Sequence, residues 1–441
     1  MNPAHLRVVM FVLNTVEYDR RVLREAATLA ADGHDVTVIG VRTGEAHPST
    51  EVRPEGFVIH RVPVSWRPMT AQTSLPNAAQ PRTGRSTAGR TPDLVWLLRS
   101  RGRWYGWRRG ALRVAPAADV YHGHDLPGLG VAAAARSVHG GRLIYDSHDL
   151  FVEAGANARR PRWVKAVVAR AERRLIRQSD RLITVNRGIA DRLNERYGPI
   201  PTSIVHNCVP RWTPTHADRA ILRDTAGIGA GAPIVLYHGG FSANRGLGQL
   251  IHAMQTPDLR EAHLVLLGYG PMEQELRRLA AAPAVAGRVH VLPPVNPEVL
   301  DRHVAGADVV AMVNQPASEN EILSTPNKLF EALAAGVPVV TSDFPLRREI
   351  VLADPSGPLG TVCDPEQVGE IGRAIADVVN RPEDEREVLR ARCLAAAHRR
   401  WNWEREQASL RGAYEVVAAG IAGTGAASRA ARPRALSERG D

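Results

Sequence analysis

Long apolar runs, cysteine and lysine are scarce in this chain of 441 residues, and each scarcity excludes a class of protein. No run is apolar for the length that a membrane crossing needs, and Met1–His5 lacks the basic and apolar blocks of a signal peptide. The three cysteines lie far apart without metal-ligand spacing, at Cys208, Cys363 and Cys393. They favour reduced thiols over a disulfide framework. We therefore expect a cytoplasmic protein.

Lysine occurs only at Lys165 and Lys328, so the net charge of +10 comes almost wholly from arginine. That surplus is compatible with anionic lipid, nucleotide or nucleic acid as a partner, although arginine enrichment can also follow from codon bias. Charge alone therefore selects no partner. The scarcity of lysine nevertheless makes Lys328 conspicuous.

The chain is too long for one ordinary hydrophobic core, and its 44% hydrophobic content is ample for two. Buried-strand runs alternate with helical segments in both halves, which predicts two Rossmann-like α/β domains with doubly wound parallel sheets and a cleft between them. The predicted organisation is a first domain over residues 1–210, a second over 211–400, a helix over 401–422 that packs back across both domains, and a disordered tail over 423–441. A Pro/Ser/Thr/Arg/Gln-rich stretch at residues 67–92 is predicted to be a mobile insertion.

The segment Ser324–Thr341 combines a turn, a short helix and a buried strand around two opposite charges. Pro326 fixes the φ of the turn, so a helix is predicted to begin near Asn327 with its free backbone N–H groups facing an anion. Lys328 would lie beside those groups, and Glu331 would lie one turn further along. This arrangement suits a site for phosphate and hydroxyls together. The alternative is a surface helix whose two charged side chains face water.

Two loops follow predicted strands in the second half, and ligands of open α/β sheets bind at the carboxyl ends of strands. Tyr237–Leu247 opens a helix, its glycines allow close backbone approach, and Arg245 can pair with phosphate oxygens. The alternative is a tight turn with an exposed arginine, since the loop is neither a P-loop nor a GxGxxG motif. The second loop, Gly268–Pro271, is weak evidence for a ligand site by itself, because such a turn usually serves backbone geometry. The glycines of the two loops are Gly239, Gly240, Gly268 and Gly270.

Two strands of the first half end in histidine-rich segments, Tyr121–Asp125 and Tyr145–Asp149. His124 or His148 would contact a substrate or take part in proton transfer, whereas a histidine at a strand end is more often a hydrogen-bonded structural residue. The His-x-His spacing also suggests metal binding. No third ligand is apparent in the sequence and there is no Asp-x-Asp pair, so we expect no metal.

The order of several segments resembles the retaining family 4 glycosyltransferases of the GT-B fold, the glycosyl transferases group 1. The segments are Tyr237–Leu247, Leu264–Pro271, Gly306–Val310 and Asn327–Val340, with Tyr18–Ala26 resembling the first strand–helix unit. The resemblance runs from Val8 to about Tyr414. It implies transfer of a sugar from a nucleotide diphosphate sugar to an acceptor, with retained anomeric configuration and without a metal or other cofactor.

The resemblance also implies roles for individual residues. Arg245, Lys328 and the amides at the helix start would stabilise the departing diphosphate. Glu331 matches the final glutamate of the family motif and would bind the ribose hydroxyls, and His124 matches a histidine that approaches the donor sugar. The further donor-binding positions are the four loop glycines with Ser324, Thr325, Pro326, Asn327 and Leu329.

Three positions depart from the family pattern. Leu323 stands where a first glutamate is expected, which leaves Glu319 or Glu321 as its replacement. These two glutamates and His148 are therefore the candidates for contacting the donor sugar. Gly240 replaces the usual arginine of the first phosphate loop, and Asn14-Thr15 replaces a glycine pair after the first strand.

The acceptor side of the predicted cleft carries aromatic and basic residues, in Leu94–Arg109 and Arg159–Lys165. Such segments suit an anionic membrane surface, which predicts peripheral contact at the inner face of the membrane. The alternative is a helix with an apolar face on the core and arginines in solvent. The sequence does not select the base, the sugar or the acceptor, which is a glycan, a lipid or a small molecule.

Two other functions compete with the transferase. A sugar-nucleotide epimerase of related architecture would release product without an acceptor. A basic nucleic-acid-binding protein is less well supported, because the sequence lacks a recognition helix, a single-strand stacking platform and a zinc pattern. We therefore expect a nucleotide sugar as partner and no nucleic acid.

Overall fold

The computed structural model describes residues 5–44, 47–64 and 93–430, with side chains as far as residue 421. The predicted insertion at residues 67–92 lies outside the described residues, as does the part of the predicted tail from residue 431 onward. None of the helices within these ranges has the length and apolar character that a bilayer crossing requires.

The first half of the chain forms an eight-stranded sheet in the order β3-β4-β2-β1-β5-β6-β7-β8. Every neighbouring pair is parallel except β3 and β4, which are antiparallel. The strands are β1 (Arg7–Phe11), β2 (Asp35–Arg42), β3 (Thr50–Val52), β4 (Val58–Pro63), β5 (Val120–His124), β6 (Arg142–Ser147), β7 (Arg181–Thr184) and β8 (Thr202–Ile204). The helices of this half are α1 (Arg20–Ala31), α2 (Asp93–Val114), α3 (Asp125–His139), α4 (Gly155–Ala158), α5 (Arg162–Ile176) and α6 (Arg187–Tyr197).

The second half forms a six-stranded parallel sheet in the order β11-β10-β9-β12-β13-β14. Its strands are β9 (Ile234–Gly240), β10 (His263–Tyr269), β11 (Val289–Leu292), β12 (Val309–Met312), β13 (Val339–Ser342) and β14 (Gly360–Cys363). Its helices are α7 (His216–Ala226), α8 (Leu247–Ala253), α9 (Glu273–Ala280), α10 (Pro297–Ala305), α11 (Glu319–Leu323), α12 (Asn327–Ala334), α13 (Pro345–Leu352), α14 (Val368–Val379) and α15 (Glu383–Arg399). The last helix is α16 (Trp403–Ala430).

Local sequence fixes several helix starts near the cleft. The Asp19 side chain accepts a hydrogen bond from the Val22 amide at the start of α1, and Asn186 caps α6 through the Ile189 amide. Thr215 and Asp218 form a reciprocal capping box at the start of α7. Residues 205–215 form neither helix nor strand and connect β8 to α7.

The C-terminal helix differs from the prediction in two ways. It packs on α1, β7 and β8 of the first domain, with Trp403 and Tyr414 in that core. The residue that reaches the second core is Trp401, whose ring lies 5.6 Å from that of Phe330. The brace between the domains is therefore the turn before the helix, since the helix itself returns to the first sheet. The helix also continues to Ala430, so the tail predicted as disordered from residue 423 is helical over its first residues.

Candidate active site

A cavity of about 1430 Å³ lies between the two domains, where the carboxyl ends of both sheets face each other. The first domain contributes residues after β1 and β6, among them Asn14, Thr15, Arg20 and His148. The second domain contributes the loops after β9 and β10 and the first turn of α12. The cavity is thus at the position that open α/β sheets use for ligands.

The first turn of α12 presents one cation and free backbone amides to this cavity. Pro326 precedes the helix with φ −67° and ψ 147°, and Ser324–Lys328 all line the cavity. The Lys328 ammonium lies 5.1 Å from the centre of the Tyr237 ring. It also lies against Gly239, where an added Cβ would come within 3.0 Å of Nζ. Gly239, with φ +109°, therefore leaves room for this lysine.

Burial, with the neighbouring charge of Arg245, lowers the pKa of Lys328 to about 8, while Glu331 opposes the shift. Lys328 lines the interdomain cavity and Glu331 is buried, so the interpretation of both as water-facing residues of a surface helix is wrong. Glu331 is buried, and its carboxylate lies 3.7 Å from His238 Nε2. Burial, followed by the charges of Lys328 and Arg20, holds the pKa of His238 well below its usual value.

Arg20, which we did not predict as a site residue, crosses the cleft to this carboxylate. Its guanidinium lies 3.2 Å from Glu331 Oε1 and 3.1 Å from Asp301 Oδ1, and it donates to the Pro297 carbonyl. The only sequence signal is its place in Tyr18–Ala26, the segment that matches the family's first helix. Arg20 therefore joins the two domains at the residue expected to bind ribose.

The two candidate glutamates before α12 have different positions. Glu321 lines the cavity, 3.4 Å from Arg245 Nη1 and 2.9 Å from Asn314 Nδ2. Glu319 instead pairs with Arg192 at 2.7 Å and with Arg196 at 3.2 Å on α6 of the first domain. Glu319 is therefore an interdomain contact, and its prediction as a donor-sugar residue is wrong. Glu321 is the carboxylate that the cleft contains near Arg245.

The segment that carries Glu321 is bound from both sides. Asn320 accepts from the Leu150 amide at 2.7 Å and donates to Asp149 Oδ1 at 2.9 Å, both in the first domain. From within the second domain, the fully buried Arg347 donates to the carbonyls of Ser324 at 3.0 Å and Glu321 at 3.2 Å. The position of Glu321 therefore depends on the closed arrangement of the two domains.

Four of the predicted donor-binding residues do not line the cavity. A Cβ on Gly268 would overlap the Gly239 carbonyl oxygen, and one on Gly270 would lie 2.5 Å from the Phe241 oxygen. Gly240 accepts a hydrogen bond from the Tyr237 hydroxyl at 2.8 Å, and Leu329 is fully buried in the core of the second domain. These residues shape the loops and the core, so their prediction as direct donor contacts is corrected. Gly239, Ser324, Thr325, Pro326 and Asn327 do line the cavity.

Of the two histidines predicted in the first domain, His124 was expected to approach the donor sugar, but His148 is the one that reaches the cleft. His124 is the last residue of β5 and is fully buried, with Nδ1 3.1 Å from Asp146 Oδ2 and 3.2 Å from His148 Nε2. His148 lies in front of it and lines the cavity. His124 therefore acts behind the surface of the cleft, and the imidazole that faces the cleft is His148.

The sequence shows no third ligand beside the His-x-His pair, but the fold places two carboxylates next to it. Candidate ligand atoms of Glu25, His122, His124 and Asp146 lie within 4.8 Å of one another, and all four residues are buried. The Arg21 guanidinium lies between the two carboxylates, 3.1 Å from Glu25 and 2.8 Å from Asp146. This cluster therefore already contains a cation supplied by the chain.

Two family models match the chain, one on each domain. The glycosyl transferases group 1 model matches residues 232–381, and the glycosyl transferase 4-like domain model matches residues 18–208. Between them they cover strands β2 to β14 and the cleft residues named above, except Asn14 and Thr15, which precede the first matched residue as β1 does.

One relative by sequence and two solved structures of similar fold are described next. A GDP-mannose-dependent alpha-(1-6)-phosphatidylinositol monomannoside mannosyltransferase of Mycolicibacterium smegmatis is 29% identical over 301 residues, 66% of this chain and 75% of that protein. Sucrose-phosphate synthase of Thermosynechococcus elongatus superposes with a TM-score of 0.71 at 18% identity, over 94% of this chain and 100% of that one. The Anabaena protein HepE in complex with UDP-glucose gives a TM-score of 0.67 at 16% identity, over 92% and 99%.

Proposed function

The chain belongs to the family 4 glycosyltransferases of the GT-B fold, and from that premise we propose that it transfers its sugar with retained configuration and without a metal. The observation that carries the proposal is the convergence of Arg245, Lys328 and Glu331 on one interdomain cavity. Two cations and the free amides of α12 are suited to a diphosphate whose negative charge grows as the sugar departs.

We assign the nucleotide end of the donor to the second domain. Lys328 and Arg245 bind the diphosphate, and Glu331 accepts hydrogen bonds from the ribose hydroxyls. Arg20 already pairs with Glu331 at 3.2 Å, so the ribose must share this carboxylate with Arg20 or displace it. Glu321, which has Arg245 and Asn314 as partners, takes the place of the missing first glutamate at the sugar end.

Retention is explained by attack of the acceptor on the same face that the diphosphate leaves, with the leaving phosphate taking the acceptor proton. This step requires no nucleophile from the chain. It requires cations beside the leaving group and the exclusion of water on domain closure. Proton NMR of a fresh product tests the proposal, because an inverted anomeric configuration would contradict it.

Metal independence follows from the same site, because Arg245 and Lys328 provide the charge that a divalent ion provides elsewhere. Turnover in excess EDTA should equal turnover with added Mg²⁺ or Mn²⁺. Loss of activity in EDTA that only added metal restores would contradict this part of the proposal.

The donor is to be identified by binding and then by transfer. GDP-mannose and UDP-glucose come first, since the mycobacterial relative is named for the former and the HepE structure holds the latter. A donor that binds the native state raises its melting temperature, and ADP- and TDP-sugars complete the screen. A stabilising donor should then yield a glycosylated acceptor. Release of an isomerised nucleotide sugar without acceptor would instead support an epimerase, and salt-sensitive oligonucleotide binding would support a nucleic-acid protein.

We propose a lipid acceptor reached from an anionic membrane surface. The mycobacterial relative is named for a phosphatidylinositol monomannoside. In this chain, Leu94, Leu98 and Tyr105 on α2 and Trp163 on α5 are exposed beside arginines. Other aromatic residues of the two segments serve packing: Trp107 is buried and donates to the Gly40 carbonyl, and Trp96 lies 4.2 Å from the Arg160 guanidinium.

Flotation with phosphatidylglycerol vesicles at low salt tests the membrane proposal. The wild-type chain should float, and Leu98→Asp should reduce the floating fraction severalfold because it buries a carboxylate in the headgroup region. Val388→Asp changes an equally exposed residue on α15 of the second domain and is the matched control. Absence of the wild-type protein from the vesicle fraction would remove the proposal.

A further inference from the structure

His238 lies near the carboxyl end of β9 and lines the interdomain cavity. It is only 2% exposed, so its imidazole is almost completely removed from water. Its Nε2 atom has no hydrogen-bond partner among the residues that the structure describes. Buried polar atoms of folded proteins nearly always have a partner. This nitrogen is therefore suited to a partner that enters the cavity.

The carboxylate of Glu331 faces this nitrogen at a distance too long for a direct hydrogen bond. His238 Nε2 lies 3.7 Å from Glu331 Oε2, whereas an N–H···O bond spans about 2.7–3.2 Å. An oxygen atom about 2.8 Å from each of the two atoms is geometrically possible, because twice that distance exceeds their separation. Both residues line the same cavity. One ligand atom can therefore contact both side chains.

The two oxygens of the Glu331 carboxylate have different surroundings. Oε1 accepts a hydrogen bond from Arg20 Nη1 at 3.2 Å, and the same nitrogen donates to Asp301 Oδ1 at 3.1 Å. Oε2 is the oxygen that faces His238. Arg20 therefore fixes the direction of the carboxylate through one oxygen and leaves the other oxygen to a ligand.

The imidazole of His238 is neutral in this environment. Burial, followed by the charges of Lys328 and Arg20, holds the pKa of His238 well below its usual value. A neutral imidazole has one N–H and one nitrogen that accepts. We assign the N–H to Nε2, because this nitrogen faces a carboxylate. His238 can then donate one hydrogen bond into the cavity.

A hydroxyl group matches this pair of side chains better than a phosphate does. A hydroxyl oxygen accepts from an N–H, and its own hydrogen can be donated to a carboxylate. A phosphate oxygen has no proton to donate and would be repelled by the Glu331 carboxylate. Replacing the hydroxyl by hydrogen would leave a buried N–H and a buried carboxylate oxygen unpaired, which is costly. The pair is therefore selective for a hydroxyl.

We propose that one ribose hydroxyl of the donor nucleotide binds between His238 Nε2 and Glu331 Oε2, while Arg20 keeps the other oxygen of the carboxylate. His238 is then a further donor-binding residue, and it contributes to a preference for ribonucleotides over deoxyribonucleotides. The proposal rests on the transferase function proposed above, in which Glu331 binds the ribose. It selects sharing of the carboxylate with Arg20 over displacement of Arg20.

The first measurement uses the wild-type, full-length chain. Isothermal titration calorimetry compares GDP, UDP and ADP with their 2′-deoxy and 3′-deoxy forms, and the base that binds most tightly is used further. Loss of the bridging hydroxyl should weaken binding by about 10- to 100-fold, the range for a hydrogen bond to a charged group. The result also identifies which of the two ribose hydroxyls lies between His238 and Glu331.

The second measurement changes the side chain and the ligand together. His238→Phe keeps an aromatic ring and removes the N–H, so it should bind the ribonucleotide about 5- to 10-fold more weakly than the wild type. It should bind the form that lacks the bridging hydroxyl within about twofold of the wild type, because that contact is already missing. A histidine that only fills the core would change both affinities by the same factor.

His238→Gln is the conservative variant. Its side-chain amide supplies an N–H donor, so it should recover at least part of the ribonucleotide affinity that His238→Phe loses. If His238→Phe does not fold, His238→Leu takes its place in the same comparison, since leucine also lacks the N–H.

His303→Phe is the matched control. His303 is another buried histidine of the second domain, on α10, and its Nδ1 lies 2.9 Å from the Val299 carbonyl oxygen. It does not line the cavity. This variant should bind the ribonucleotide and the deoxyribonucleotide with the affinities of the wild type, which separates the proposed contact from general damage to the core.

Arg20→Met distinguishes sharing of the carboxylate from displacement. If the ribose and Arg20 contact different oxygens of Glu331, this variant should bind the ribonucleotide no more tightly than the wild type. Tighter binding would show that the ribose has to displace Arg20 and would overturn the proposed arrangement.

Two further outcomes would overturn the inference while leaving the transferase intact. One is equal wild-type affinity for the ribonucleotide and both of its deoxy forms. The other is an equal loss of affinity for ribonucleotide and deoxyribonucleotide in His238→Phe. If the wild-type chain binds none of the nucleoside diphosphates, the proposed function fails together with the inference, so the two failures are distinguishable.

Discussion

Raising the pH should weaken donor binding through Lys328, the cation at the first turn of α12. Burial and the nearby charge of Arg245 lower its pKa to about 8. The ammonium is therefore mostly protonated at neutral pH and mostly neutral one unit above this value. Since only the protonated form attracts a diphosphate, donor affinity depends on the protonated fraction.

The magnitude follows from that fraction. Between pH 7 and pH 9 the protonated share of a group with a pKa of about 8 falls about tenfold, and the apparent dissociation constant rises by the same factor. This change corresponds to about 1.4 kcal/mol of binding free energy. Isothermal titration calorimetry with the nucleotide sugar at the two pH values measures this change in affinity. The diphosphate of a nucleotide sugar does not titrate in this range, so the ligand keeps its charge.

Two variants make the test specific to Lys328. Lys328→Met should bind the donor at least about tenfold more weakly at pH 7 and should lose most of the dependence on pH. Lys165→Met removes the only other lysine, which pairs with Glu153 at 2.6 Å, and should behave as wild type. Equal wild-type affinities at the two pH values, or an unchanged pH dependence in Lys328→Met, would refute the assignment of Lys328 to the diphosphate.

Three further predictions follow from contacts around the donor site. Asn320→Ala removes hydrogen bonds to Leu150 and Asp149, so steady-state kinetics should show a donor KM about tenfold higher with unchanged nucleoside diphosphate binding; equal changes in both would contradict it. Gly268→Ala forces a Cβ onto the Gly239 carbonyl and should cost at least about 2 kcal/mol in urea unfolding, a result that wild-type stability would exclude. Arg347→Met leaves the Ser324 and Glu321 carbonyls without their hydrogen-bond partner, so thermal unfolding should show a stability lower by about 2–4 kcal/mol. The nucleotide sugar should also bind more weakly to this variant. Unchanged stability and unchanged binding would show that Arg347 does not hold this segment.

The alternation of buried strands and helices was sufficient to predict both sheets. In β2, for example, Val36, Val38, Ile39 and Val41 are all buried. Runs of β-branched residues that are buried on both faces give a strong, continuous apolar signal, whereas β3 has three residues and is mostly exposed, so it gives none. After Ser342, α14 carries Ile371, Ile375 and Val378 at helical spacing, which is a signal that the sequence alone provides.

Which side chain of each site segment faces the cleft could not be predicted from the sequence. Glu319 and Glu321 are two residues apart, yet one faces α6 and the other faces the cleft. His124 is the last residue of β5 and His148 directly follows β6, and which of the two lies deeper depends on how β5 and β6 pair. Arg20 reaches Glu331 only because the two domains close on each other. These outcomes depend on contacts between distant parts of the chain, which local patterns do not contain.

A crystal structure of the full-length chain with its stabilising nucleotide sugar tests the central claim most directly. We expect the diphosphate to lie against Lys328, Arg245 and the first turn of α12, the ribose on Glu331, and the sugar between Glu321 and His148. A nucleotide sugar bound outside this cleft, or bound in it with the diphosphate away from Lys328 and Arg245, would contradict the account.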